Sequence, residues 1–189
     1  MDTTEGIHKP LGKYIFNNIN FGKHDPMLPV LRAAGYRVFD NPNDPEGVLV
    51  TFPVAWDGVQ FDHFHKDGVD MEVNLETAIE QLERYKKYQL YWTEQNTSVT
   101  ISYSPEEVSG VIDWLLDNWE CYVGVSFLYR ADPTKSAADL GYLYLPQEVT
   151  TKEAYDEYVS RLQPVDLSGT DSFDELSDDE CASGVCPVK

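Results

Sequence analysis

Two cysteines near the end of the chain have the spacing of a redox-active pair. Cys181 and Cys186 are separated by four residues, among them Ser183 and Gly184. Because glycine tolerates tight backbone turns, the two Cα atoms can come within disulfide distance. Such a pair can reduce a buried disulfide by thiol exchange and then be reduced by a soluble thiol protein. Accidental spacing, or a weak metal-binding pair, is the alternative interpretation.

The segment that carries this pair differs in composition from the rest of the chain. Residues 165–189 contain seven acidic side chains and one lysine, and their hydrophobic residues show no period. We therefore predict a folded part over residues 1–164 and a mobile acidic tail over residues 165–189. Three acidic residues directly precede Cys181 and are expected to raise the pKa of its thiol, whereas Cys186 lies nearer Lys189. Cys186 is therefore the predicted readier nucleophile.

The overall composition excludes several classes of protein. The 189 residues include 33 acidic and 14 basic side chains, a net charge of −19. Such a chain is unsuited to sequence-independent binding of nucleic-acid phosphates or to an anionic membrane surface. No signal peptide and no apolar run of membrane-spanning length is present. Three cysteines are too few for a disulfide framework, so a reducing, cytoplasmic setting is expected.

The hydrophobic pattern predicts alternating strands and helices that position the chemistry. Strands are predicted where short apolar runs lie between turn residues, at 14–21, 36–39, 48–54, 98–103 and 122–129. Helices are predicted from three-and-four spacing and start signals, at 26–34, 74–92, 104–119 and 150–163. Asp25 is expected to cap the first helix, and capping boxes of Ser104 with Glu107 and of Thr150 with Glu153 are expected to open the third and the fourth. The apolar face of the second helix is predicted on Leu75, Ala78, Ile79, Leu82, Tyr85 and Gln89. The apolar face of the third helix is predicted on Val108, Ile112, Leu115, Leu116 and Trp119. This alternation favours an α/β fold with a mostly parallel sheet.

Two histidines in the segment Asp62-His-Phe-His65-Lys-Asp67 could form a metal pair. If the segment were extended, the two imidazoles would lie on one face. The spacing offers no third ligand, so a solvated loop is the preferred interpretation.

Other chemistry-bearing residues have ordinary structural interpretations. Tyr85, Tyr88, Tyr91 and Trp92 could stack on bases, but their helical spacing is typical of a core face. Cys121 lies between a predicted helix and a predicted strand, where a buried structural thiol is expected.

Short motifs in a fixed order extend along nearly the whole chain. They are Thr4-Glu-Gly-Ile-His8-Lys-Pro10, Tyr14-Ile, Ile19-Asn-Phe21, Ala34-Gly-Tyr36, Val50-Thr-Phe-Pro-Val54, Gln89-Leu-Tyr-Trp92, Asn96-Thr-Ser-Val-Thr-Ile101, Ser104-Pro-Glu-Glu-Val108 and Glu180-Cys-Ala-Ser-Gly-Val-Cys-Pro-Val-Lys189. In this order they resemble the C-terminal part of the adenosylcobalamin-dependent (class II) ribonucleotide reductases. Each motif is weak alone, but ordered agreement over this length is specific.

The resemblance implies a fold and a role for the cysteine pair. The fold expected is α/β, a C-terminal fragment of a ten-stranded α/β barrel with added strand–helix elements and a disordered acidic tail. Cys181 and Cys186 match the family's tail pair, which reduces the active-site disulfide after each turnover. Thioredoxin or glutaredoxin then reduces the tail pair.

The resemblance also implies partners and a cofactor. The substrate would be a ribonucleoside di- or triphosphate, reduced for DNA synthesis, and adenosylcobalamin would be held by the assembled enzyme. The family's radical-bearing cysteine lies upstream of the matched segment. A split or truncated reductase is therefore expected, with an N-terminal reductase fragment as partner and no activity of this chain alone.

Two alternatives remain at this point. His8 lies in a family-like segment, where a supporting role near the nucleotide competes with simple packing. A non-enzymatic acidic binding protein, such as a DNA mimic or partner module, would also explain the charge. That function leaves the alternating elements and the cysteine pair without a role.

Overall fold

The computed structural model describes Ile7 and residues 9–166. In that part of the chain the elements are β1 (Tyr14–Gly22), α1 (Met27–Ala33), β2 (Val38–Asp40), β3 (Gly47–Ala55), β4 (Asp62–Lys66), β5 (Val69–Val73), α2 (Ala78–Tyr91), β6 (Thr100–Tyr103), α3 (Val108–Asp117), β7 (Ser126–Tyr129), β8 (Gln147–Val149) and α4 (Lys152–Val159). The predicted mixed α/β class is confirmed. None of the described helices is long and apolar enough to cross a membrane.

The largest sheet has four strands in the order β2-β3-β1-β8, and every pairing in it is antiparallel. β1 and β3 pair along their whole length, from Tyr14 opposite Ala55 to Gly22 opposite Gly47. Pro53 lies beyond the part of β3 that pairs with β2, which ends opposite Val50. Its missing N–H therefore affects a part of the strand that has a neighbour on one side only, which is the usual place for a proline in a strand.

Helix α1 covers one face of this sheet. The buried side chains of Leu28 and Leu31 pack against Val48 and Val50 of β3. Helix α1 begins where the Asp25 carboxylate accepts a hydrogen bond from the Met27 N–H at 2.8 Å. This contact agrees with the start signal predicted from the sequence.

Helix α4 covers the opposite face, through Tyr158. Its ring meets Phe16 edge-on, with 5.3 Å between centroids. Its hydroxyl donates to the Thr51 carbonyl at 2.8 Å and accepts from the Arg37 N–H at 2.9 Å. The Arg37 guanidinium also lies over the Tyr158 ring, 4.4 Å from its centroid. One buried tyrosine thus ties α4 to the sheet.

The predicted mostly parallel sheet is wrong for the described residues. Their only parallel pairing joins β6 to β7, and the other pairings are antiparallel. For β2 and β3 the reason is local turn chemistry, because residues 41–46 form a tight turn in which the Asp44 N–H bonds the Asn41 carbonyl at 3.3 Å. A short turn returns the chain directly beside the strand it left, which makes an antiparallel pair. The described strands form three separate sheets, so the ten-stranded barrel stays a prediction.

The predicted loop at Asp62 to Asp67 is also wrong. Strands β4 and β5 form an antiparallel hairpin in which His65 pairs with Asp70. At its tip Asp67 has a φ of 51° and Gly68 a φ of 80°. Positive φ at two successive turn residues is typical of the Asp-Gly hairpin turn. The dipeptide Asp67-Gly68 is therefore a sequence signal from which this hairpin could have been predicted.

The third unit is β6–α3–β7, a parallel strand pair with a helical connection. Thr100–Tyr103 and Ser126–Tyr129 pair in register. The predicted capping box precedes α3, since the Glu107 carboxylate accepts from the Ser104 N–H at 2.7 Å. The first turn after Ser104 is a 3-10 turn at Pro105–Glu107.

Helix α2 packs on this unit and supplies much of its core. The buried side chains are Ala78, Leu82, Tyr85, Val99, Ile101, Val111 and Trp114. The predicted apolar face of α2 is confirmed at Ala78, Leu82 and Tyr85. The predicted face of α3 is wrong except at Leu115, which packs partly buried against this core, because α3 is apolar on more than one side and buries Val111 and Trp114.

Two helices begin later in the structure than the sequence predicted. Helix α2 begins at Ala78, not near Asn74, because the Asn74 side chain accepts from the Glu76 N–H at 3.0 Å and forms a turn. Helix α4 is capped by Thr151, not Thr150. The Thr150 N–H instead bonds the Tyr14 carbonyl at 2.9 Å, which keeps Thr150 extended beside β1.

Candidate functional site

The predicted reducing pair lies outside the described residues. Cys181 and Cys186 therefore remain predicted site residues, and His8 likewise remains a prediction. The division into residues 1–164 and 165–189 also stays a prediction.

The stretch that leads to the acidic tail is attached to the four-stranded sheet region. After α4, the Gln163 N–H donates to the Ala34 carbonyl at the end of α1, at 2.9 Å. Val165 packs against the cluster between α1 and β3. The description stops one residue later, at Asp166. The point from which the chain continues toward the cysteines is therefore fixed beside α1.

A second candidate site lies at the carboxyl ends of β6 and β7, where open α/β sheets commonly hold functional groups. Arg130 directly follows β7. Its Nη2 donates to the Ser102 carbonyl at 3.0 Å and to the Glu76 carbonyl at 2.7 Å. Its Nη1 lies 3.2 Å from Oε2 of Glu107. One guanidinium thus joins β7, β6, α3 and the segment before α2.

Glu107 is the anionic centre of this junction. Its Oε1 accepts from the Ala78 N–H at 2.7 Å, at the N-terminus of α2. Burial disfavours the charged carboxylate. The hydrogen bonds from Ala78 and Ser104 and the charge of Arg130 outweigh burial, so the pKa of Glu107 lies below its ordinary value. The carboxylate is therefore stably ionised at neutral pH.

Gln81 completes the junction from the buried side of α2. Its Nε2 donates to the Ser102 carbonyl at 3.1 Å, and its Oε1 accepts from the Ser102 N–H at 2.9 Å. An amide that bonds both backbone groups of one residue acts like a neighbouring strand. Gln81 therefore fixes α2 to β6 at one position.

The junction holds β6, β7 and the start of α2 in place, and most of its polar atoms already have hydrogen-bond partners. The Arg130 Nη atoms are engaged by carbonyls and a carboxylate, and the charges of Arg130 and Glu107 oppose each other. Two buried atoms, Arg130 Nε and Glu76 Oε2, have no hydrogen-bond partner among the described residues. The sequence indicated only the Ser104–Glu107 box, because the other partners are 21 to 54 residues apart. Neither Gln81 nor Arg130 belongs to a short sequence motif that would have predicted its role.

The histidine pair does not form a metal centre in the described part of the chain. His63 and His65 lie on β4, opposite Glu72 and Asp70. His65 Nδ1 is 2.6 Å from Asp70 Oδ1, whereas Glu72 is paired with Lys13 at 3.0 Å. Within Ile7 and residues 9–166, no group of three potential ligands has metal-binding geometry.

The aromatic residues of α2 divide between core and surface. Tyr85 is buried, and its hydroxyl accepts from the Val123 N–H at 3.0 Å. Tyr88, Tyr91 and Trp92 are 40%, 82% and 80% exposed, so the predicted core role is wrong for these three residues. They lie at the end of α2, past the part that packs on β6. Cys121 is half-buried against the same cluster and is a free thiol.

An exposed apolar surface belongs to the β6–α3–β7 unit. We term it the open face and define it by Ile112, Leu116 and Trp119 on or directly after α3 and Phe127, Leu128 and Tyr129 of β7. Leu116 and Trp119 are 67% and 70% exposed. The Phe127 and Tyr129 rings lie edge-on to Tyr103 of β6, at 6.3 and 6.4 Å between centroids. Exposed apolar residues concentrated in one unit mark an interaction site more often than an isolated exposed leucine.

The fold corresponds to part of a larger protein of known structure. A crystal structure of a B12-dependent (class II) ribonucleotide reductase superposes with a TM-score of 0.64 and 24% sequence identity. The match covers 93% of this chain and 23% of that chain. At this identity the likeness concerns the fold.

Sequence comparison identifies relatives of the same kind, although no family model matches the chain. A probable adenosylcobalamin-dependent ribonucleoside-triphosphate reductase of Dictyostelium discoideum is 27% identical over 188 residues, covering 98% of this chain and 23% of the relative. The adenosylcobalamin-dependent ribonucleoside-triphosphate reductase of Levilactobacillus brevis is 27% identical over 192 residues, covering 98% and 24%. That of Lactobacillus leichmannii is 27% identical over 201 residues.

These findings confirm the resemblance predicted from the ordered motifs. The chain is similar over nearly its whole length to adenosylcobalamin-dependent ribonucleotide reductases, consistent with their C-terminal portion. It spans about a quarter of the length of the relatives it matches.

Proposed function

We propose that this chain is the part of an adenosylcobalamin-dependent ribonucleotide reductase that carries the reducing cysteine pair. The observation that carries the proposal is similarity to such reductases over 98% of the chain, together with the terminal pair Cys181 and Cys186. The remaining portion of the enzyme, which would hold the radical-bearing cysteine, belongs to the same assembled reductase. The substrate class is the ribonucleoside triphosphate, with the diphosphate as the alternative.

The proposed reaction of the pair is a thiol–disulfide exchange. The thiolate of one tail cysteine attacks a sulfur of the active-site disulfide, forming a mixed disulfide and releasing one active-site thiolate, which takes up a proton. The second tail cysteine then attacks the mixed disulfide, closes the Cys181–Cys186 disulfide and releases the other active-site thiol. Two electrons pass to the active site, and thioredoxin or glutaredoxin returns two electrons to the tail.

Covalent geometry sets how far the pair can act from its attachment. Cys181 follows Asp166 by fifteen positions. Fifteen fully extended residues span at most about 50 Å. Cys186, the predicted readier nucleophile, follows Asp166 by twenty positions and can reach at most about 70 Å, so a site that the pair serves must lie within that distance of Asp166.

Adenosylcobalamin is proposed as the cofactor of the assembled enzyme, where it would supply the radical. A corrin needs a largely enclosed site. The apolar side chains of β7 are instead exposed along a strand, between 40% and 57% for Phe127, Leu128 and Tyr129. The described residues therefore do not enclose a corrin by themselves, and no contact with the cofactor is assigned to them.

The test compares serine variants in the assembled reductase. Cys181→Ser and Cys186→Ser are expected to abolish multiple-turnover deoxynucleotide formation with thioredoxin while retaining activity with dithiothreitol, a small thiol that reaches the active site directly. Cys121→Ser is the matched control, since this free thiol packs beside the α2 cluster, and it should retain both activities.

The activities of the serine variants distinguish a role of the cysteine pair in electron transfer from a structural defect. Loss with both reductants would indicate a defect in the assembled enzyme and not in electron transfer. Full thioredoxin-dependent activity of Cys181→Ser would contradict the proposed role of the pair. The acidic binding protein is not favoured, because the similarity includes nearly the whole chain and not merely its charge.

A further inference from the structure

We propose that the end of helix α1, at Ala34 and Gly35, is an anchoring site that fixes the point from which the proposed reducing tail begins, with Gly35 as its positioning residue. This inference deepens the proposed function and rests on it, because the segment held at this site leads to Cys181 and Cys186.

The first argument comes from the way in which α1 ends. The Gly35 N–H bonds the Arg32 carbonyl at 3.1 Å, and the Tyr36 N–H bonds the Leu31 carbonyl at 3.0 Å. Together with a φ of 88° at Gly35, these two bonds form a Schellman motif, the common glycine-dependent end of a helix. The last carbonyls of a helix have no partner within it. The Ala34 carbonyl lies at this end and is therefore available to another segment of the chain.

The second argument comes from the missing side chain of Gly35. A Cβ atom at this position would lie 3.0 Å from the Arg161 carbonyl oxygen and 3.8 Å from the Leu162 Cα atom. The backbone that follows α4 therefore passes α1 at a distance that glycine permits and a larger residue does not. This close approach brings the Gln163 N–H to the Ala34 carbonyl, at 2.9 Å.

The third argument comes from the residues on either side of this hydrogen bond. Before it, the Leu162 N–H still bonds the Val159 carbonyl at 3.0 Å, at the end of α4. After it, Val165 packs against the buried cluster between α1 and β3. Residues 163–165 are therefore held by α1 and its surroundings, and not by the helix that precedes them.

The anchoring site limits how far the cysteine pair can reach. Releasing residues 163–165 moves the last fixed position back from Val165 to Leu162, and three extended residues add at most about 10 Å. A tail that is too short to reach its target must first break one hydrogen bond and one partly buried apolar contact. Breaking these two contacts reduces the population that can react by about tenfold. The anchor should therefore affect the reaction most when the tail is short.

The test measures thioredoxin-dependent turnover of the assembled reductase while the tail is shortened. Residues between Asp166 and Cys181 are deleted two at a time, and turnover is expected to fall at a threshold length. Gln163→Pro removes the N–H that bonds Ala34. It should permit tails shorter by about three residues and raise turnover near the threshold by about tenfold. Gln163→Ala keeps the N–H of this exposed residue, so this matched control should follow the unaltered chain.

A second pair of variants tests Gly35 itself. Gly35→Val places a side chain against the Arg161 carbonyl, whereas Gly141→Val introduces similar backbone strain, at a φ of 80°, where a Cβ atom has no neighbour within 4 Å. Only Gly35→Val should lower the threshold length. It should also accelerate hydrogen–deuterium exchange in the peptide that contains residues 161–166. Turnover with dithiothreitol, retained in both variants, verifies that the assembled enzyme is folded.

The outcomes separate this inference from the proposed function. Equal thresholds for Gln163→Pro and Gln163→Ala, with turnover that needs Cys181, would overturn the anchoring site and leave the proposed function intact. Equal thresholds for Gly35→Val and Gly141→Val would overturn the positioning role of Gly35. Turnover that does not depend on tail length would overturn the anchoring site as well. Full thioredoxin-dependent turnover of Cys181→Ser would reject the proposed function and this inference together, and faster exchange in Gly35→Val would then show a contact without a role in reduction.

Discussion

The four-stranded sheet and the β6–α3–β7 unit bury their hydrophobic residues to very different extents. The sheet is covered on one face by α1 and on the other by α4, and its exposed apolar residues, such as Phe39, are isolated. The parallel unit has a core of its own with α2, but α3 and β7 remain open on their outer sides. The sheet therefore depends on contacts within this chain. The parallel unit has the features of a half-covered surface.

This contrast teaches that a hydrophobic stripe need not mark the core of its own chain. The predicted apolar face of α3 included Ile112, Leu116 and Trp119, and these are the residues that the structure leaves exposed. The pattern is real, but none of the described residues covers this side of the helix.

Two tryptophans give the largest expected difference within the parallel unit. Trp114 is buried, and its Nε1 donates to Glu83 at 2.6 Å, whereas Trp119 is 70% exposed. Trp114→Ala should lower the free energy of unfolding by about 3–5 kcal/mol. Trp119→Ala should lower it by about 0.5 kcal/mol or less in the chain alone. Urea unfolding followed by circular dichroism measures both, and similar losses would contradict the division of α3 into a core side and an open side.

Tyr158 provides a smaller effect that tests the closed character of the sheet region. Tyr158→Phe leaves the Arg37 N–H and the Thr51 carbonyl without their partner, so we expect a loss of about 1–3 kcal/mol in unfolding free energy. Tyr155→Phe on the same helix is the control, since Tyr155 contacts Tyr14 by its ring, at 5.1 Å between centroids. A loss at Tyr155 as large as that at Tyr158 would argue against the buried hydroxyl as the tie between α4 and the sheet.

The smallest expected effect is a pH dependence at the junction of β6, α3 and β7. The pKa of Glu107 lies below its ordinary value of 4.5, so the unfolded chain takes up the proton first as pH falls. The stability from its ionised form is present above about pH 4.5 and is lost as pH falls through the lower folded pKa. Glu107→Gln should therefore destabilise at pH 7 by about 1 kcal/mol, and less as pH approaches 3.

The control for Glu107 is its exposed neighbour Glu106. Unfolding curves of Glu106→Gln at pH 7, 5, 4 and 3 should follow those of the unaltered chain. A stability difference for Glu107→Gln that is constant over this range would reject the carboxylate as the pH-dependent group.

Much of the local structure could be predicted because its causes are local. The strand at Tyr14 and the box from Ser104 to Glu107 depend on neighbouring residues, and both are present. The hairpin at Asp67-Gly68 also has a local signal, because the Asp-Gly dipeptide is typical of a tight hairpin turn. The junction could not be predicted, because Arg130 acquires its partners only when β6 and β7 pair.

The sequence by itself determined the class of fold, most of the elements and, through ordered motifs and a terminal cysteine pair, the resemblance to a ribonucleotide reductase. The class of fold and the elements depend on periodicity and capping, which act over a few residues. Only the tertiary structure decided strand direction, the buried side of α3 and the open edge of β7. Each of these depends on which distant segments meet, and an apolar stripe has the same pattern whether its partner lies within the chain or outside it.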